Sequence, residues 1–269
     1  MFRDLPIQLV AVFVSLALFS PAAMGQCYRL EQHKLNALDA ATGDFFGYSV
    51  ALSGDTLVVG SGLDDHAAGT NAGSAYVFIR SGNAWAQQAK LMASNGAAHD
   101  YFGFSAAISG DTLVIGAPAD LSVGTANGSV YVFVRNGQVW SQQAWITAAD
   151  GSPGDQFGLA VAISGDTLVV GAPYDNHTSG SDAGSAYVFV RSGTAWSLQA
   201  WIKAGDAGAG ERFGYAAALE GETVVIGSPD DSHTGVFHAG AAYVFVRNGP
   251  FYMCRSKSCL PCPQSSASC

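Results

Sequence analysis

Phe102-Gly103-Phe104-Ser105-Ala106-Ala107-Ile108-Ser109-Gly110-Asp111-Thr112-Leu113-Val114-Ile115-Gly116-Ala117-Pro118 is the stretch that decides the fold. It contains two short apolar runs joined by Gly110-Asp111. A two-residue Gly-Asp link suits a primed hairpin turn, because glycine accepts positive φ. The second run, Leu113-Val114-Ile115, is apolar at successive positions, which predicts a strand covered on both faces. The stretch recurs. Phe-Gly stands at Phe46-Gly47, Phe102-Gly103, Phe157-Gly158 and Phe213-Gly214, in steps of 56, 55 and 56 residues. Thirteen residues after each glycine comes Gly60, Gly116, Gly171 or Gly227, opening Gly-Ser-Gly, Gly-Ala-Pro, Gly-Ala-Pro and Gly-Ser-Pro.

Further along each copy stands Tyr-Val-Phe, at Tyr76, Tyr131, Tyr187 and Tyr243, followed by Arg80, Arg135, Arg191 and Arg247. Trp85, Trp140 and Trp196 follow in three copies, and the fourth breaks off at Asn248-Gly249-Pro250. In the first copy the pattern predicts strands at 49–53, 56–60, 74–80 and about 85–92, with no sustained helical periodicity. Four strands repeated every 55 or 56 residues predict an all-β chain, a β-propeller of four-stranded antiparallel blades. The repeats divide as about 38–92, 93–147, 148–203 and 204–249. An immunoglobulin-like sandwich does not repeat in this way within one domain.

His33-Lys34-Leu35 precedes Gly47 by the interval at which Ala89-Lys90-Leu91 precedes Gly103. Residues 31–37 therefore match a fourth strand whose first three are missing, while the last copy offers three strands without a fourth. The expectation is that strand 31–37 completes the last blade and closes a ring, leaving no exposed edge.

Composition agrees with this reading. Of 269 residues, 33 are glycine, 12% are charged and 49% are hydrophobic. An apolar, weakly charged chain is not a disordered one. The net charge of −9 argues against nucleic acid and anionic membrane surfaces as partners.

The ends differ from the middle. Residues 1–25 read as a signal peptide. A short polar start, Met1-Phe2-Arg3-Asp4, leads into an apolar run over 5–19 and then Ser20, Ala22, Ala23 and Gly25, with cleavage expected after Gly25. The run is shorter than the roughly 20 residues of a membrane span; the other readings are a buried helix or an anchor. Gln26 stands where lipoprotein processing at Cys27 wants a small residue, so a secreted product without a membrane span is expected, extracellular, periplasmic or at the cell surface. The cysteines are Cys27 and, in a Cys-rich tail over 250–269, Cys254, Cys259, Cys262 and Cys269. Secretion favours disulfides, and ring closure would bring Cys27 near Cys254, the expected clasp. Five is odd, so one thiol stays free or pairs with another chain. Cys259-Leu-Pro-Cys262 lacks a second pair or a histidine partner for a metal site.

The repeated residues resemble the FG-GAP repeat family, found in integrin α-subunit heads and many bacterial secreted proteins. The resemblance rests on Phe46, Gly47 and Gly60; Phe102, Gly103 and Gly116; Phe157, Gly158 and Gly171; and Phe213, Gly214 and Gly227. It implies a propeller, usually of seven blades, whereas four units stand here. A small closed ring, a fragment of a longer propeller and an assembly of chains all stay open. Integrin-type repeats carry an Asp-rich calcium loop between the first two strands. Here that link is Ser53-Gly54-Asp55-Thr56 and its equivalents, and one carboxylate on a tight turn cannot supply the six to eight oxygens calcium takes. No cofactor and no metal are therefore expected, as in the calcium-free bacterial variety.

Two kinds of residue are candidates for function. Asp64, Asp120, Asp175 and Asp231 stand four after each Gly60-type glycine, and His66, His177 and His233 stand two after three of them. The pairs Asp64/His66, Asp175/His177 and Asp231/His233 could bind a metal or hydrogen-bond a sugar, or they could merely decorate their own surface loops. The repeated tryptophans could stack on sugars or cover the blade's outer side. No Gly-x-Ser-x-Gly elbow, His-Glu-x-x-His or phosphate-binding loop is present, so no catalytic residue is named and no enzyme is expected. The expected function is a secreted, non-enzymatic adhesion or binding module for an extracellular protein or glycan. An extracellular carbohydrate-active hydrolase or lyase on the same scaffold, and a truncated propeller, are the alternatives.

Overall fold

The computed structural model describes residues 33–120, 127–233, 235–249 and 251–254. Among them lie sixteen strands and no helix. The first sheet is β1 (Ser49–Ser53), β2 (Thr56–Ser61), β3 (Ser74–Ser81) and β4 (Ala84–Leu91). The second is β5 (Ser105–Ser109), β6 (Thr112–Ala117), β7 (Ser129–Asn136) and β8 (Val139–Ile146). The third is β9 (Ala160–Ser164), β10 (Thr167–Ala172), β11 (Ser185–Ser192) and β12 (Ala195–Ile202). The fourth is β13 (Ala216–Glu220), β14 (Thr223–Ser228), β15 (Ala241–Asn248) and β16 (Phe251–Cys254). Each sheet is an antiparallel meander in chain order, so the four FG-GAP-like copies form four blades. A bulge kinks the outer pair of each of the first three at one place, Val77/Phe78, Val132/Phe133 and Val188/Phe189.

The blades stack through apolar faces. Val58, Ala75 and Val77 of the first face Phe102, Leu113, Ile115 and Phe133 of the second across one buried cluster. The same positions recur at the junction of the second and third blades, with Val114, Val130 and Val132 against Phe157, Leu168, Val170 and Phe189. At the third junction Val169, Ala186 and Val188 meet Phe213, Val224, Ile226 and Phe245. The innermost strands lie side by side, β1 by β5, β5 by β9 and β9 by β13. Among the described residues β13 makes no comparable contact with β1.

These junctions explain the two glycines of the repeat. A Cβ on Gly60 would stand 2.0 Å from the Gly103 carbonyl oxygen of the next blade. On Gly116 it would meet Gly158 O at 2.0 Å, and on Gly171 it would meet Gly214 O at 1.9 Å. The Phe-Gly glycines have φ near +100°, a region open mainly to glycine, and Gly103 also packs on Ser74 O of the preceding blade. One glycine thus receives the blade that follows, and the other approaches the blade before.

The last blade differs from expectation. Residues 33–37 form no strand, and residues 31 and 32 lie outside the described ones, as do the leader 1–25, Cys27 and the tail beyond Cys254. The fourth strand of the last sheet is β16, which pairs Asn248 with Phe251 and Phe245 with Cys254. The Asn248-Gly249 turn, with Gly249 at φ 64°, folds the chain straight back. This short loop loses less entropy than pairing strands from opposite ends of the chain. Leu35 and Ala37 instead pack on the first blade with Phe46, Val59, Tyr76 and Phe78, where Leu91 and Ala93 pack on the second.

Candidate functional site

A four-stranded meander sends its two tight hairpins to one end and its longer connections to the other. At the hairpin end the repeated arginines hold the acid of each Gly-Asp turn. Arg80 lies 2.6 Å from Asp55, Arg135 2.5 Å from Asp111 and Arg191 2.6 Å from Asp166, while Arg247 reaches Glu222 at 3.6 Å. Each of the first three guanidinium groups also lies over its blade's tryptophan, 5.7 Å from the ring centre of Trp85, 5.4 Å from Trp140 and 5.3 Å from Trp196. Each tryptophan is thus engaged by its own blade's arginine, and Trp140 Nε1 also donates to Gln88 Oε1 of the first blade at 3.0 Å.

At the long-loop end the repeated aspartates are buried beneath the loops. Asp64 accepts hydrogen bonds from Ser74 Oγ at 2.5 Å and Tyr76 OH at 3.4 Å. Asp120 accepts from Tyr131 OH at 2.6 Å, Asp175 from Ser185 and Tyr187, and Asp231 from Tyr243. Burial, reinforced by these carboxylates, pushes the phenol of each of Tyr131, Tyr187 and Tyr243 far above its ordinary value. A second set of acids caps the turn before each inner strand. Asp44 accepts from Ala41 N, Asp100 from Ala97 N, Asp155 from Ser152 N and Glu211 from Gly208 N. Burial raises the Asp155 carboxyl, Ser152 N–H opposes that, and Asp175, Asp150 and Asp182 add to the rise. In the first blade alone a lysine enters the group, with Lys90 Nζ 2.6 Å from Asp39 and 2.8 Å from Asp64. Burial by itself would lower that ammonium's pKa, but the two carboxylates overcome it and hold it above its usual value.

Two of the sequence-predicted histidines close their own loops. His66 Nε2 meets Gly73 O at 2.9 Å while its Nδ1 accepts from Ala68 N, and His177 repeats this with Gly184 O at 3.1 Å and Ser179 N. His233 instead turns to Asp231, 3.0 Å from Nδ1 to carboxylate. Among the described residues no hydrogen bond or ion pair joins one Asp/His pair to another, and no His, Cys, Asp and Glu group there is arranged to hold a metal ion. The Cys27–Cys254 clasp falls outside what is described, because Cys27 does.

One feature of this end is not repeated. Tyr48, Gly62, Leu63, Tyr101 and Phe104 line a shallow apolar cleft between the first two blades. Tyr48 and Phe104, each just before its blade's inner strand, lie with ring centres 4.5 Å apart, and Tyr48 is 51% exposed. Tyr101 is held at φ 59°, in the left-handed region that bulky residues avoid. The third and fourth blades place Leu159 with Gln156 and Tyr215 with Arg212 at these positions, so the aromatic cluster is confined to one junction. Sequence reasoning passed over it because it weighed what recurs. The signal lay in which copies carry aromatic residues at both positions, Phe45 with Tyr48 and Tyr101 with Phe104, where the third has Gln156 with Leu159 and the fourth Arg212 with Tyr215.

Among the described residues no helix is long and apolar enough to cross a membrane. No curated protein matches the sequence. The FG-GAP repeat model matches four consecutive segments, 30–78, 85–133, 140–189 and 196–245. Each match after the first starts in the fourth strand of one blade and ends in the third strand of the next, so the matched unit straddles a junction. With four FG-GAP repeats matched in succession over most of its length, the chain belongs to the FG-GAP repeat family.

Proposed function

We propose that this protein is a secreted, non-enzymatic binding or adhesion module that contacts an extracellular protein or glycan with its long-loop end. The observation that carries the reading is the exposed aromatic cleft of Tyr48, Tyr101 and Phe104. An apolar, concave, partly hydroxylated surface suits stacking against a sugar ring or an apolar side chain. The hairpin end offers tight turns whose charged groups pair with each other. The repeated acids are engaged by serine, tyrosine and backbone donors, which fits a structural part better than acid–base chemistry. The acid-rich loops and the net charge of −9 favour neutral glycans or basic protein surfaces over polyanions.

A glycan array probed with the wild type and with Tyr48→Ala tests this reading. Retained binding to a neutral glycan class, lost about tenfold or more in the variant, is the expected result for a stacking contact. Turnover of a polysaccharide in a parallel hydrolase and lyase screen, without stable binding, would overturn it in favour of an enzyme.

A further inference from the structure

Among the described residues the first and last blades each leave part of one sheet face uncovered, on the first blade the part at the inner strand, and the two are the halves of a junction the chain builds three times. On the first blade Val50 and Leu52 of β1 are 66% and 63% exposed. Their equivalents Ala106 and Ile108, Val161 and Ile163, and Ala217 and Leu219 all pack against the preceding blade. On the last blade Val244 is 39% exposed, whereas its equivalents Val77, Val132 and Val188 are fully buried. Ala242 is exposed and Val225 half-exposed beside it.

Polar contacts and backbone follow the same rule. Arg135 Nη1 donates across the first junction to Thr56 Oγ1 at 3.0 Å, and Arg191 Nη1 donates across the second to Thr112 Oγ1 at 2.8 Å. Arg80, the equivalent donor on the first blade, is 47% exposed against 24% and 18% for those two, and Thr223, an equivalent acceptor, lies on the last blade. Gly227 gives the most telling sign. Its counterparts must lack a side chain because the next blade's carbonyl presses on them, yet among the described residues a Cβ on Gly227 would meet only Ala216, at 3.2 Å. No positive φ requires glycine there either. Gly47, whose counterparts press on the preceding blade, has nothing within 4 Å of a built Cβ.

We propose that a second copy of this chain covers these faces head to tail, the last blade of one copy receiving the first blade of the other as blades receive each other within the chain. Gly227 then takes the carbonyl of the other copy's Gly47, Val225 and Val244 cover the other copy's Val50 and Leu52, and its Arg80 reaches Thr223. The surface is heterologous, so each copy presents both halves, and two copies are complementary at two junctions if the geometry closes. An uncovered apolar face of this kind is otherwise an aggregation liability.

Sedimentation of the full chain over a wide concentration range, with Leu52→Asp and Gly227→Val, tests this. The expected result is concentration-dependent association in the wild type, weakened about tenfold or more in either variant, since a charge or a branched side chain is forced into the junction. Each variant keeps one sound face, so an equimolar mixture should regain a heterodimer that neither forms alone. Thermal melts establish that the variants fold, and Val244→Asp replaces Gly227→Val if that one does not. A wild type that stays monomeric throughout, or association unchanged by both variants, would overturn the proposal.

Discussion

At the residue scale the fold is decided by where a Cβ has room. The recurring Gly60, Gly116 and Gly171 are invaded by the backbone carbonyl of the next blade, which cannot swing aside as the end of a side chain can. Gly171→Val should destabilise the chain by about 3 kcal/mol or more, as overpacking against backbone does. Gly227→Val meets no backbone of a following blade among the described residues, only the Ala216 side chain, and places a β-branched residue in a strand, so it should change stability by less than about 1 kcal/mol. Chemical denaturation of the two variants checks this, and equal losses would show that both positions are sealed within one chain. Both glycines are plain in the sequence as members of one motif. What the sequence does not reveal is that the last of the set has no next-blade carbonyl against it among the described residues, because a motif records a residue and not its neighbour.

At the element scale each blade is a meander, and the first three are locked at the hairpin end by arginine, acid and tryptophan. The strand limits were legible. Alternating turns and β-branched runs predicted 49–53 and 56–60, and the strands are Ser49–Ser53 and Thr56–Ser61. The fourth strand of the last blade was not legible. Phe251–Cys254 lies after Pro250 and among residues that match no other copy, so recurrence ceased to guide just where a local turn still acted. The Asp/His pairs were legible as motifs but not as partners, since the bond from His66 to Gly73 O depends on a loop path that spacing does not specify. The lock should matter most where it also bridges two blades. Arg135→Ala removes the bond to Thr56, the pair with Asp111 and the contact over Trp140, and should lower stability by about 1–2 kcal/mol. Arg80→Ala removes an exposed pair with no junction bond and should lower it by less than about 1 kcal/mol. Melting curves of the two variants, measured where the chain is monomeric, decide the order.

At the scale of the whole repeat array, burial is uneven. The second strands β6 and β10 are buried along their whole length, while in the last blade β13 alternates between half-buried and exposed positions and β14 between half-buried and buried ones. Blades covered on both faces should open last. Hydrogen exchange on the Leu52→Asp variant, which keeps association out of the measurement, should show the slowest amides in β6, β7, β10 and β11 and faster ones in β1 and β13–β15. Uniform protection across all four blades would contradict this order.

The straddling of the repeat has an evolutionary consequence. Because the Phe-Gly glycine serves the blade before and the Gly60-type glycine serves the blade after, the heritable unit is a junction rather than a blade. A duplication or deletion of one period, cut anywhere, rejoins two halves that already fit. Such a gene can lengthen or shorten by recombination between copies without inventing a new contact, and selection need only find what to do with the two ends.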